Sequence, residues 1–425
     1  MVGSDPIMLT GGGPTRSRNC SSVALTQDGR STLVDCADGT YRQMITFGFK
    51  PSSVNTILIT HLHGDHVLGL VPLLASILSG VSNSKEFVAT LRTRNPSPKP
   101  SVNIYGPKGL RSLVRITLSL TSMELGGVYT VHELLLPGEE LTSCAAEDMH
   151  LNEVPGKNIF KGENGWENIS DDSFGLVIDA GEILHRVTSL GYVLRYPRTP
   201  LCVPVTYLAS LKQHGLSPAL LGKMLRTGDP IELPTGEQLN HPGWDEGYHI
   251  AVLGDTSDAS GMLRLARGVN LLIHECTNAH IPKDPNSITY PNSKGMAQTF
   301  DSIREKSALR GHSTPDVAGG FARAIMAKHL VLNHFSTMFS TSEEFSQIAL
   351  QARVALLNTA AVPGSDTTNH SDGNDAQGDQ ADPGRRKVIC SEDGMRLKLK
   401  SVKGVRVDEV DVDDVLEITR STYQS

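Results

Sequence analysis

The six residues His61-Leu62-His63-Gly64-Asp65-His66 constrain this chain more than any other segment. They follow the apolar run "NTILIT", which reads as a buried strand. Residues two apart on an extended backbone point to one side, so the end of that strand aims the imidazoles of His61 and His63 together. Gly64 permits a turn, beyond which Asp65 and His66 can face a second ion. Imidazole nitrogens and carboxylate oxygens form the ligand set of Zn²⁺ in hydrolytic sites, with one position left for water. Two such ions, roughly 3.5–4 Å apart, clamp the attacking and leaving oxygens of a phosphodiester. Histidines in an ordinary polar turn are the alternative reading, and four ligand-type side chains in six positions weigh against it.

At 425 residues and 39% hydrophobic content the chain can bury a large core, so one α/β domain with insertions is expected. The formal net charge of −7 argues against a surface built wholly around nucleic acid but leaves room for a local basic patch. No run approaches the ~20 apolar residues of a membrane span. Six scattered cysteines without a CxxC pair point to a reducing, intracellular compartment, with cytoplasm, nucleus and mitochondrion all open.

Short apolar runs alternate with helical patterns, and several end at a residue of catalytic type. "NTILIT" leads to His61, "YHIAVLG" to Asp255, "VNLLI" to His274 and "HLVLN" to His334. Open sheets gather their sites at strand ends, so these runs are expected to converge on one pocket. His334 stands 22 positions after His312, room for one helix and one strand. Thr314 is the expected N-cap, Pro315 the first helical residue, and "DVAGGFARAIMAKH" the helix. The expected catalytic domain spans residues 1–359, with exposed insertions at about 82–101 and 144–173. A basic arm holding one short helix is expected at about 195–226. Residues 360–387 have almost no apolar content and read as a disordered linker, and 388–425 as a returning strand and tail.

These residues carry a family resemblance. HLHGDH resembles the signature of the metallo-β-lactamase fold, and the rest of the chain resembles the short form of tRNase Z, the endonuclease that removes 3′ trailers from tRNA precursors. "PTRSRN" is similar to its PxKxRN loop, "VDCADGTYRQM" to its DCGEGTQRQL segment and "SVNIYGPKGLRSLV" to its IYGPxGL segment. "HRVTSLGYVL", "LGDTSD", "LLIHECTN", "GHSTPDVA" and "LNHFSTMF" resemble its further histidine element and its GDT, HEAT, HSTP and HFSxRY motifs. The chain departs from the pattern at Pro218 and Ala219, where Gly-Pro would stand, and at Met338 and Phe339, where HFSxRY has arginine and tyrosine.

The resemblance implies an αββα sandwich with an inserted tRNA-binding arm, a homodimer, a tRNA precursor as substrate and two zinc ions per subunit. It gives His61, His63 and His185 to one ion, Asp65, His66 and His334 to the other, and Asp255 as bridge. Chemistry agrees on the bridge, since a carboxylate has two oxygens to share. Asp65 is the candidate to orient or deprotonate the attacking water and His312 the candidate acid or phosphate stabiliser. Glu275 is the candidate to orient His312, though His274 and Glu275 read equally well as polar groups closing a strand end. Arg16, Arg18 and Asn19 are the candidate substrate contacts. A phosphodiesterase or arylsulfatase-like hydrolase on the same fold, and a non-catalytic RNA-binding homologue, are the alternatives.

Overall fold

In the computed structural model Ile57 and Leu58 are both fully buried, yet they lie in different cores. Ile57 packs with Leu70, Leu73 and Val114, which belong to helices Leu70–Ile77 and Leu110–Leu120. Leu58 packs with Tyr192, Leu194 and Val252, which belong to a second sheet. A strand that is apolar on both sides of its two-residue period is one covered on both faces. The second sheet repeats the pattern on its far side, where Val193, Leu272 and Leu330 meet Ala318, Phe321, Ile348 and Ala352 of helices Pro315–Ala324 and Ser342–Leu357. Three cores separate four layers, an αββα sandwich.

The structure describes residues 7–9, 12–27, 29–79, 101–170, 175–245, 247–282, 290–291, 297–357, 386–401 and 414–419. Within them the first sheet runs in the order Asp414–Thr419, Met395–Ser401, Ile7–Leu9, Val23–Gln27, Arg30–Val34, Val54–Leu58, Val102–Pro107, Tyr129–Leu135. The short strands Glu153–Val154 and Asn158–Phe160 both pair with the last of these. The second sheet runs Val388–Cys390, His329–Asn333, Leu271–Glu275, His249–Leu253, Ser189–Arg195, Val177–Ile183. From Arg30 to Leu135 neighbouring strands of the first sheet are parallel, as are the first four of the second. Their carboxyl ends release Asp35, His61, Asp255, Thr277 and His334 at one edge of the sandwich.

Local details differ from expectation for physical reasons. Thr314 stands at the helix N-cap, but its hydroxyl donates to Asp316 Oδ1 at 2.6 Å and caps no backbone N–H. The helix stops at Ala324 rather than running to His329, and Met326, at φ 57°, turns the chain into the strand. Gly319 is where the last helix crosses it, since a Cβ there would stand 2.2 Å from Ala352 O. "VICSEDGMRLKLKSV" is not one strand but two, one in each sheet, reversed around Gly394 at φ 75°.

The arm holds two helices, Val205–Gln213 and Ala219–Thr227, where one was expected. Leu211, Met224, Ile231, Leu233 and Leu239 give it a small core of its own. Thr199–Pro200 pairs with Trp244–Asp245 at its root, so the excursion extends past Arg226. The segment 144–173 carries two short strands. The expected insertion at 82–101 and linker at 360–387 lie, apart from residues 101, 386 and 387, outside the described residues. Among the described residues no helix is long and apolar enough to cross a membrane.

Candidate metal centre

After Leu58 the chain leaves its strand through Ile59, whose N–H still bonds to Tyr105 O, and delivers Thr60 and His61 into the gap between the sheets. His61 is fully buried there. Its Nε2 lies 3.1 Å from His63 Nδ1 and 3.8 Å from Asp255 Oδ2. His185, from the turn between Val177–Ile183 and Ser189–Arg195, brings its Nε2 to 3.3 Å from His63 Nδ1. These four side chains therefore converge on a common point, with all four ligand atoms within 4.8 Å of one another.

A second convergence lies beside the first. His66 Nε2 and His334 Nε2 each lie 3.4 Å from Asp255 Oδ1, and Asp65 Oδ2 lies 3.9 and 3.5 Å from those two nitrogens. Asp255 thus presents Oδ2 to one group and Oδ1 to the other. His66 Nε2, His334 Nε2 and Asp255 Oδ1 are buried and have no hydrogen-bond partner among the described residues. Buried polar atoms of a native fold are almost always satisfied, and three orphans facing one another mark a place that a cation fills. The donor set, imidazole and carboxylate, fits zinc.

Supporting hydrogen bonds aim these donors. Asp35 is buried, at φ 60°, and accepts from Thr60 N–H at 2.8 Å, from Thr60 Oγ1 at 2.8 Å and from His66 Nδ1 at 2.6 Å. A carboxylate only accepts, so His66 carries its proton on Nδ1 and turns the lone pair of Nε2 inward. Because Thr60 spends its proton on Asp35, it accepts from His61 Nδ1 at 3.0 Å, which likewise leaves His61 Nε2 bare. His185 Nδ1 donates to Gly311 O at 2.6 Å. His334 sits at φ 56°, and a Cβ on Gly12 would stand 2.2 Å from its Cα, so only glycine lets the N-terminal loop pack beneath it.

Electrostatics follow this packing. Burial, then the charge of His66, pushes the His61 imidazole down to about 2, and burial also lowers His63 and His185. Burial opposes protonation of His66 and His334 too, but the carboxylates Asp255 with Asp35, and Asp255 with Asp65, outweigh it and raise both. The close approach of His334, its Nε2 3.5 Å from Asp65 Oδ2, holds Asp65 well below the usual carboxylate range. Burial would raise Asp255, and the positive fields of His334 and His66 overcome it and lower it. The carboxylates' pull on a proton at His66 and His334 marks a place where positive charge is favoured, and a metal ion bound there would supply it in the proton's stead.

His312, after Gly311 at φ 79°, lies at the same edge, its Nδ1 3.1 Å from Glu275 Oε1 and 3.7 Å from Asp255 Oδ2. Glu275 also accepts from the N–H groups of Thr256, Thr277 and Ser313, so it ties three loops together. Two of the loop residues bond within the fold. Arg18 is turned inward at 9% exposure, and its Nη2 donates to Ser336 O at 3.0 Å and Phe339 O at 2.8 Å. It clamps the turn that follows His334. Asn19 bonds to Asp38 O and Asp393 Oδ2 and joins loops in the same way. Arg16 alone of the three is exposed. Asp35, Thr60, Thr277 and Gly12 were not among the expected site residues; the strand-end position of Asp35 in "VDCADGT" was the available signal.

A family profile described as "Anti-Pycsar protein Apyc1" matches residues 7–84. Human zinc phosphodiesterase ELAC protein 1 is 30% identical over 345 residues, covering 77% of this chain and 84% of that protein. A ribonuclease Z of Microcystis aeruginosa is 28% identical over 361 residues, covering 82% and 90%. The crystal structure of human tRNase Z, short form, superposes with a TM-score of 0.49 at 27% identity, covering 78% of this chain and 93% of that one. With this identity along most of both chains, the protein belongs to the family of zinc phosphodiesterase ELAC protein 1 and ribonuclease Z.

Proposed function

We propose that this protein is a zinc-dependent endoribonuclease that hydrolyses the phosphodiester between a tRNA and its 3′ trailer, leaving a 3′-hydroxyl on the tRNA. The observation that carries the reading is Asp255, which offers one oxygen to each of two ligand groups. His61, His63 and His185 would hold one zinc and Asp65, His66 and His334 the other. When bound, the two ions supply Lewis acidity to the phosphoryl oxygens and lower the pKa of the attacking water. Asp65, whose side chain is 43% exposed, stands at the mouth of the centre and is placed to orient that water and take its proton. His312, held at Nδ1 from behind by Glu275, turns Nε2 to the substrate side, where that nitrogen can take up a second proton and, as an imidazolium, pass it to the departing 3′-oxygen.

The arm is the substrate-holding element in this reading. Lys212, Lys223 and Arg226 lie on its two helices, and exposed cations grip a phosphate backbone through counterion release. A homodimer would let one subunit's arm hold the tRNA cut by the other. Residues 1–359 form the catalytic unit, to which the strands after 387 contribute.

The test is cleavage of an end-labelled tRNA precursor with and without a chelator, with bis(p-nitrophenyl) phosphate assayed in parallel. A single chelator-sensitive cut at the tRNA 3′ end is expected. Hydrolysis of the small ester alone would move the function to another phosphodiester, and inactivity on both with zinc bound would make the chain a non-catalytic homologue.

A further inference from the structure

Thr277 has one hydroxyl and three partners for it. Its Oγ1 lies 2.8 Å from Glu275 Oε2, 2.9 Å from His334 Nδ1 and 3.1 Å from His312 Nδ1. The proton positions follow from counting donors. Glu275 is 1% exposed, and it receives the backbone N–H groups of Thr256 and Ser313 on Oε1 and of Thr277 on Oε2. A carboxylate so surrounded accepts and does not donate, so the Thr277 proton points to Oε2. The oxygen's lone pairs then face both imidazoles, and each imidazole meets them with a proton on Nδ1. For His334 this leaves the buried, unpartnered Nε2 as a lone pair directed at Asp65 and Asp255. The His312 ring lies nearly parallel to that of His334, 5.6 Å between centroids, and the same hydroxyl governs it.

We propose that Thr277 is a positioning residue that, with Glu275 behind it, sets the proton of both His334 and His312 on Nδ1. One hydroxyl thereby readies a metal-facing nitrogen and a substrate-facing nitrogen together. The inference rests on the reading that His334 holds zinc, and it adds a link between that ligand and the tautomer of His312 through one hydroxyl. Among the described residues neither histidine has a second side-chain hydroxyl at Nδ1, although His312 shares its proton with Glu275 Oε1 at 3.1 Å.

Thr277→Val keeps the shape of the side chain and the backbone N–H to Glu275, and removes only the hydroxyl. The variant should bind zinc at the Asp65, His66 and His334 group about ten- to a hundredfold more weakly, the effect of losing a partner behind a ligating histidine. Its pH profile for bis(p-nitrophenyl) phosphate should also shift, and Thr277→Ser should restore both properties. A valine variant with wild-type zinc affinity and pH profile would overturn the proposal, as would a serine variant no better than valine. The wild-type protein supplies an independent check through nitrogen-15 spectra of its histidines. Neutral His312 and His334 should carry their protons on Nδ1, and a proton on Nε2 of either would overturn the assignment. If wild-type protein takes up no zinc, the metal reading falls by itself and the spectra alone decide the role of Thr277.

Discussion

Replacing Asp35 by asparagine changes one oxygen for one NH₂ at a fully packed position, and the hydrogen bonds determine where the change is felt. The amide oxygen can still accept from Thr60 N–H and Oγ1, both now 2.8–3.0 Å from Asp35 Oδ1. The NH₂ group must then face His66 Nδ1, which in the native protein donates to Oδ2 at 2.6 Å. Donor would meet donor, so the imidazole moves its proton to Nε2, the atom that lies 3.4 Å from Asp255 Oδ1. That proton blocks metal binding at His66. Exchanging a bond to a carboxylate for one between neutral groups costs about 1 kcal/mol, and a histidine ligand deprived of its support loses about ten- to a hundredfold in metal affinity. Competition against a chromophoric chelator should therefore show one weakened zinc of two, with the His61, His63 and His185 ion closer to native. Denaturation of the metal-free variant should show a loss of about 1 kcal/mol. Native affinity for both ions in a folded Asp35→Asn protein would refute the argument.

Three further outcomes are expected. Arg18→Met should lower the melting temperature, because Ser336 O and Phe339 O lose their donor, while the KM for tRNA changes little; a large KM change with unaltered melting would restore the phosphate-contact role. His274 is fully buried and burial lowers its pKa below the ordinary value of about 6.5, so between the two values the unfolded chain binds more protons and stability falls as pH drops below about 6.5. In metal-free protein His274→Met should lose less stability between pH 7.5 and 5.5 than wild type, by at most about 1.4 kcal/mol per pH unit, and equal losses in urea titrations would remove His274 from the acid response. Replacing residues 201–243 with a short linker, between strands that already pair at Thr199–Pro200 and Trp244–Asp245, should abolish tRNA cleavage and spare the small ester. Normal tRNA processing without the arm would remove its role.

What could be read in the chain was local. The strand before His61 and those before Asp255, His274 and His334 were visible because a buried parallel strand is a continuous apolar run, and the metal motif sits at its end within six residues. The partners that aim the ligands were not visible. Asp35 meets His66 from 31 positions away, and Thr277 meets His334 from 57, through contacts that no spacing encodes. The contacts of Arg18 were not visible either, because a basic residue in a Gly/Pro loop usually faces solvent and the carbonyls it serves lie more than 300 positions on. Likewise "VICSEDGMRLKLKSV" read as one strand, since nothing local says that its halves complete different sheets on either side of the core.

The most direct measurement is anomalous diffraction at the zinc edge from crystals of the zinc-loaded protein. Two peaks are predicted, one held by His61, His63 and His185, the other by Asp65, His66 and His334, with one Asp255 oxygen on each. A single peak, or Asp255 bound to only one ion, would contradict the two-metal centre.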